Sequence, residues 1–274
     1  MADFFGHLSL RAAPRADGQT GLAAQSFRAP FHLSKPYWDA DTGILIVQVV
    51  NPTAGILAGD QLQSEITVDS GAALLVTTPS ASRVFKMDAG TAISRQHFRV
   101  APGGWLEVLP EPLVPHRGSR FRQVTSIDVA RGGGLFFVDQ LQPGRVAHKG
   151  EAWLWDRLCL ELDVRLDGEL VLRERLDQSG EDLKALAALA GSGPAACFAN
   201  AVLIADSADG DKWRAELNAL HGHGLWIGVS ALRAGGWSLR LVASDSVILR
   251  QALRDVRRIL GAHFPHLAAD TRKL

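Results

Sequence analysis

The residues with the strongest claim to chemistry are carboxylates framed by proline or glycine. In Leu106-Glu107-Val108-Leu109-Pro110-Glu111-Pro112, a strand over Trp105–Leu109 would put Glu107 on the same face as Trp105 and Leu109, since side chains alternate with period two. A carboxylate on an apolar face is costly unless it is paired or liganded. With Glu111 and His116 close in sequence, Glu107 could complete an oxygen/nitrogen metal site or an acid/base pair. The alternative is an edge strand ended by two prolines, with Glu107 paired to an arginine. Gly55-Ile56-Leu57-Ala58-Gly59-Asp60 suggests a phosphate cradle, but a P-loop needs Lys and Ser/Thr after its second glycine and then a helix. Here Asp60 follows and a strand comes next. The segment reads either as a plain interstrand loop or as an acidic functional position at Asp60.

Other constellations are thin. His221-Gly222-His223 and His263-Phe264-Pro265-His266 do not match zinc-site spacings and read as exposed histidines at helix ends. There is no G-x-S-x-G, no H-E-x-x-H and no kinase signature. Ser80-Ala81-Ser82-Arg83 has Arg where the S-x-x-K motif needs a titratable Lys. A final helix studded with Arg250, Arg254, Arg257 and Arg258 reads as an ordinary amphipathic helix, its arginines in water or meeting an acidic partner.

The elements that must hold these groups are mainly strands. Short alternating or apolar runs cover Ile44–Val50, Leu62–Val68, Ala73–Thr78, Ile93–Val100, Trp105–Leu109, Phe121–Val129, Leu135–Gln140, Ala152–Leu166 and Glu169–Leu176. Glycine turns separate them, at the spacing of sandwiches and barrels. Helices are expected over Asp182–Leu189, from Asp209 or Asp211 to Leu220, and over Ser246–Leu260, with strands at Leu225–Leu232 and Trp237–Val242. The expectation is one mainly β domain, 1–177 β-rich and 178–274 mixed α/β. Its architecture is a large antiparallel sheet, β-helix-like or sandwich, with two to three late helices and no βαβ alternation.

Composition sets the outer limits. The 274 residues carry 29 Lys+Arg against 29 Asp+Glu, and 47% are apolar, which excludes general disorder and argues against nucleic-acid binding. Two cysteines, Cys159 and Cys197, make no disulfide framework. No apolar run reaches membrane-span length and no signal segment stands out. A reduced, cytoplasmic, soluble chain with protein partners is expected.

Taken in order, four segments are more specific than any one alone. They are Asn51 to Asp60, Leu74 to Lys86, Leu106 to Pro112, and Pro143-Gly144-Arg145-Val146-Ala147-His148-Lys149-Gly150-Glu151. The series resembles the urease accessory protein UreD family, also called UreH. That family carries a Gly-x-x-Gly-Gly-Asp loop, a Thr-Thr-Gln-x-x-x-Lys-Val-Tyr segment, Leu-Glu-x-x-Pro-Glu-Pro and Gly-Arg-x-Ala-x-Gly-Glu. The departures are Ala58 for glycine, Pro79 for Gln, Arg83 for Lys, Phe85 for Tyr, one extra residue at His148 or Lys149, and no Arg-x-Trp near Arg272. The resemblance implies a scaffold and metallochaperone rather than an enzyme, with UreF, the GTPase UreG and urease apoprotein as partners and no tightly bound cofactor. It also implies Asp60, Glu107, Glu111, Asp139 and Glu151 as weak oxygen ligands along a path for transient nickel. Two other readings stand beside it: a β-scaffold hydrolase or lyase using Glu107, Glu111 and His116, and an interaction module without metal transfer, distinguished by whether a polar tunnel runs through the β region.

Overall fold

The computed structural model describes residues 4–148, 150–189, 193–205, 210–222 and 224–271. Asp209 as a helix cap, His223, Lys149 and Arg272 fall outside them. The longer strands of the first two thirds are β1 (Phe4–Pro14), β2 (Thr20–Arg28), β3 (Leu45–Val50), β4 (Asp60–Val68), β5 (Ala73–Thr77), β6 (Ala92–Val100), β7 (Trp105–Leu109), β8 (Arg120–Val129), β9 (Gly134–Leu141), β10 (Arg157–Leu166) and β11 (Glu169–Gln178). Then come α1 (Gly180–Leu189), β12 (Cys197–Ile204), α2 (Gly210–Asn218), β13 (Leu225–Ala231), β14 (Trp237–Ala243) and α3 (Ser246–Gly261). The mainly β class and the late helices agree with expectation. Strands β1, β2 and β12 are additions, and Ala152–Leu166 divides into a short pair at Glu151–Ala152 and β10.

Strand direction is the principal correction. One sheet has seven strands in the order β11-β10-β8-β6-β4-β1-β2; the other has eleven, with the main path β13-β14-β12-β9-β7-β5-β3 ending on His32–Leu33. Pairs β1/β4, β4/β6, β6/β8 and β8/β10 are parallel, as are β3/β5, β5/β7 and β7/β9. The reason lies in the glycine turns. Val68 to Ala73, Val100 to Trp105 and Val129 to Gly134 do not fold a strand back on its neighbour. Each carries the chain from the seven-stranded sheet to the other, so successive passes lie parallel, as in a β-helix. The corners stack on one another: Gly71 N–H donates to the Gly103 carbonyl at 3.2 Å and Gly103 N–H to that of Gly132 at 2.8 Å. Their φ angles of +75°, +69° and +77° are ones only glycine adopts readily. Asp167-Gly168, by contrast, makes a hairpin, joining β10 to antiparallel β11.

The layers are sheet, sheet and helices. Leu10, Ile66, Phe98, Ile127 and Val164 of the seven-stranded sheet meet Leu74, Leu106, Leu135 and Phe137 of the other. The far face of the eleven-stranded sheet, with Ile46, Leu75, Trp105 and Phe136, packs against Trp213 of α2 and Leu249, Leu253 and Val256 of α3. Asp245 caps α3, accepting from Val247 N–H at 2.8 Å and Ile248 N–H at 2.9 Å, which satisfies two of the helix's orphan donors. A third cluster, with Phe121, Trp153, Trp155, Leu158 and Leu183, closes the end of the sheets near α1.

Candidate functional site

Between the two inter-sheet apolar clusters the facing side chains turn polar. On the seven-stranded sheet, Ser64, Gln96 and Thr125 are register partners on β4, β6 and β8, and the row continues through Leu162 to Glu174 on β11. Ser94 and Gln123 form a second pair one rung away. Across the gap, Asp139, Asn200 and Arg240 are register partners on β9, β12 and β14. Because each row crosses the strands, the polar layer runs along the axis of the coil. It surrounds a cavity of about 480 Å³, lined by Ser64, Ser94, Gln96, Gln123, Asp139 and Arg240 among others. Thr125 Oγ1 donates to Gln96 Oε1 at 3.0 Å. Arg240 fastens one side of the layer across the two sheets, reaching Glu174 with Nη1 to Oε2 at 2.8 Å and Nη2 to Oε1 at 2.7 Å.

Asp139 is the electrostatic centre of this layer. Burial pushes its carboxyl up to about 7, the negative Glu174 adds to the rise, and a hydrogen bond from Gln123 opposes it. The same cavity is also lined by Leu62, Ile66, Phe98 and Phe137, so Asp139 is one of a few ionisable groups in a largely apolar wall, which is why its charged form is disfavoured.

The structure brings two of the five expected carboxylates, Asp139 and Glu111, to the cavity wall. The other three have local partners. Asp60 accepts from Leu57 N–H at 2.8 Å, closing the glycine loop, and burial raises its pKa against that bond. Glu107 is wholly buried on the helix side of β7. There Arg257 donates to it from Nε at 2.7 Å and from Nη2 at 3.1 Å, and also donates to the Ala269 carbonyl. Glu151 takes Arg145 Nε at 2.9 Å and Nη2 at 2.5 Å, and that pairing lowers its pKa. The acid/base grouping is not assembled. Glu107 faces α3, Glu111 lines the cavity, and His116 is buried edge-on to Phe85 at 4.8 Å, its pKa lowered by burial and then by Arg145. Among the described residues no three His, Cys, Asp or Glu side chains are grouped to hold a metal ion.

The inward row of Ser64, Gln96, Thr125 and Glu174, with Asn200 and Arg240 opposite, escaped the sequence reading. Its signal was nonetheless present: Leu62-x-Ser64-x-Ile66, Ala92-x-Ser94-x-Gln96-x-Phe98 and Phe121-x-Gln123-x-Thr125-x-Ile127 put polar residues on otherwise apolar faces. They recur at roughly 30 residues, the period of a coil.

A parallel two-sheet coil with a polar layer through its middle defines a β-scaffold whose distinctive feature is its interior. The model for the UreD urease accessory protein family matches residues 5–273, and the chain belongs to that family. It is 65% identical over 272 residues to the urease accessory protein UreD of Opitutus terrae, covering 99% of this chain and 100% of that protein. It is 34% identical over 257 residues to that of Deinococcus radiodurans, covering 92% and 88%. With the UreD of Yersinia enterocolitica it shares 37% over 148 residues, 53% of this chain and 45% of that protein.

Proposed function

We propose that this chain is a urease maturation factor, a cytoplasmic scaffold without catalytic activity that works with UreF, the GTPase UreG and urease apoprotein to deliver nickel. Nickel is cargo here, not a resident cofactor. The observation that carries the reading is the polar layer between two apolar clusters, with Asp139 at its centre and Glu111 on its wall. A module that only bound partners would need no such interior. Oxygen ligands in small number suit passage, because a full ligand set would retain the ion. Asp60, Glu107 and Glu151 act in this reading on the frame of the path: they hold the glycine loop, α3 and the Arg145 turn.

The test is nickel in urease co-expressed with its accessory proteins and with Asp139→Ala in this chain. Loading falls at least several-fold while the variant still co-purifies with its partners. Full loading with an intact complex removes the cavity from the path.

A further inference from the structure

The helix α3 leaves a feature that the interior does not explain. Its inner face is buried through Leu249, Ala252, Leu253, Val256, Ile259 and Leu260. Along its flank runs a groove of about 570 Å³, bounded by the strand ends at Leu109–Pro112, by Gln140 and Gln142, and by the turn at Leu267. The floor is apolar, formed by the edges of Leu109, Pro112, Leu249, Leu253 and Leu267, the leucines being 1–7% exposed. The rim carries Arg250, Arg254, Arg257 and Arg258. Arg257 is engaged by Glu107 and Arg258 by Asp255 at 3.2 Å. Arg250 and Arg254 are exposed and make no ion pair among the described residues.

We infer that this groove docks an acidic, amphipathic helical segment of a partner protein. Charge complementarity selects the occupant. Arg250, Arg254 and Arg258 stand at i, i+4 and i+8, one above another along the helix, so a second helix laid in the groove meets them with Asp or Glu at the same spacing while its apolar residues cover the floor. A free oxyanion would fill little of a groove of about 570 Å³, and nucleic acid would find two unpaired arginines on a chain whose net charge is zero. Glu111 and Gln140 line both this groove and the interior cavity, so a partner seated here adjoins the polar layer. The inference takes from the proposed function only that the chain works in an assembly. It holds whether or not nickel uses the cavity.

The experiment places a photo-crosslinking residue at Ser246, which lines the groove, and separately at Arg95 on the outer face of β6, in full-length chain co-expressed with urease and its accessory proteins. Mass spectrometry of the Ser246 adduct is expected to find a segment of another protein with Asp or Glu at helical spacing. A second copy of this chain, a basic or uncharged segment, or no adduct at Ser246 while the chain still co-purifies with a partner, overturns the inference. Arg250→Glu with Arg254→Glu is expected to cut the adduct at least tenfold, and reversing the acids of the captured segment to restore it. Arg250→Ala with Arg254→Ala, which adds no repulsion, gives a smaller loss at an unchanged melting temperature. An adduct unaffected by either pair of substitutions also overturns the inference.

Discussion

Glu107 shows how one buried carboxylate is read differently with and without its neighbours. From sequence it is an acid on an apolar strand face; in the fold its two oxygens meet Arg257, 150 residues away. Removing one member of a buried pair leaves the other charge uncompensated, at about 3–5 kcal/mol. Glu107→Ala should therefore lower the urea midpoint sharply, whereas Glu107→Leu with Arg257→Met should recover most of the loss. Equal losses in the two variants would contradict the pairing. Asp139 makes a pH prediction of the opposite sign to the usual acid. Its folded pKa, about 7, lies above the ordinary 3.8, so between these values the folded chain holds a proton that the unfolded chain has released. The contribution is present below about pH 4 and is lost as pH rises toward 7. Asp139→Asn should be the more stable protein at pH 8, and the gap should close by pH 4. A variant with the same stability profile as the parent from pH 4 to pH 8 would show that Asp139 titrates normally.

At the scale of elements, the corners decide the architecture. A Cβ on Gly133 would lie 2.9 Å from the Ala101 carbonyl oxygen and 3.0 Å from that of Ala130, both backbone atoms with no freedom to move aside. Gly133→Ala should cost about 1–3 kcal/mol as overpacking, read as a lower melting temperature. Gly193→Ala, which meets nothing within 4 Å, should change it little. Equal melting temperatures for the two would mean that the stacked corners can yield. The helices are legible for a different reason: α3 carries a cap at Asp245 and a continuous apolar face, both local features. It begins at Ser246 as expected and ends one residue past Leu260.

At the scale of the whole molecule, the polar layer is the property to perturb. Ser64 and Ser94 are both buried, each 6% exposed, and lie on neighbouring strands beside the cavity. Ser64→Leu with Ser94→Leu should fill polar space with apolar volume and reduce nickel in co-expressed urease, with the chain still folded and in complex. Unchanged nickel would place the path elsewhere. The sequence by itself determined most of the strands from β3 to β11, β13 and β14, the late helices, the glycine turns and, through its ordered motifs, the family, because alternation, capping and φ > 0 requirements are properties of neighbouring residues; β1, β2 and β12 were not legible in it. It also marked Glu111 through its proline-framed segment, and Asp139 only through the family resemblance. Only the tertiary structure decided that the corners join different sheets and make the strands parallel, since a glycine turn does not specify whether the chain returns to its own sheet. Only the coil brought Ser64, Gln96, Thr125 and Glu174 into one row facing Asp139, Asn200 and Arg240, and took Glu107 out of that interior to hold α3. Those placements depend on register and sheet face, and a residue's partner across a sheet is set by the packing of the whole chain.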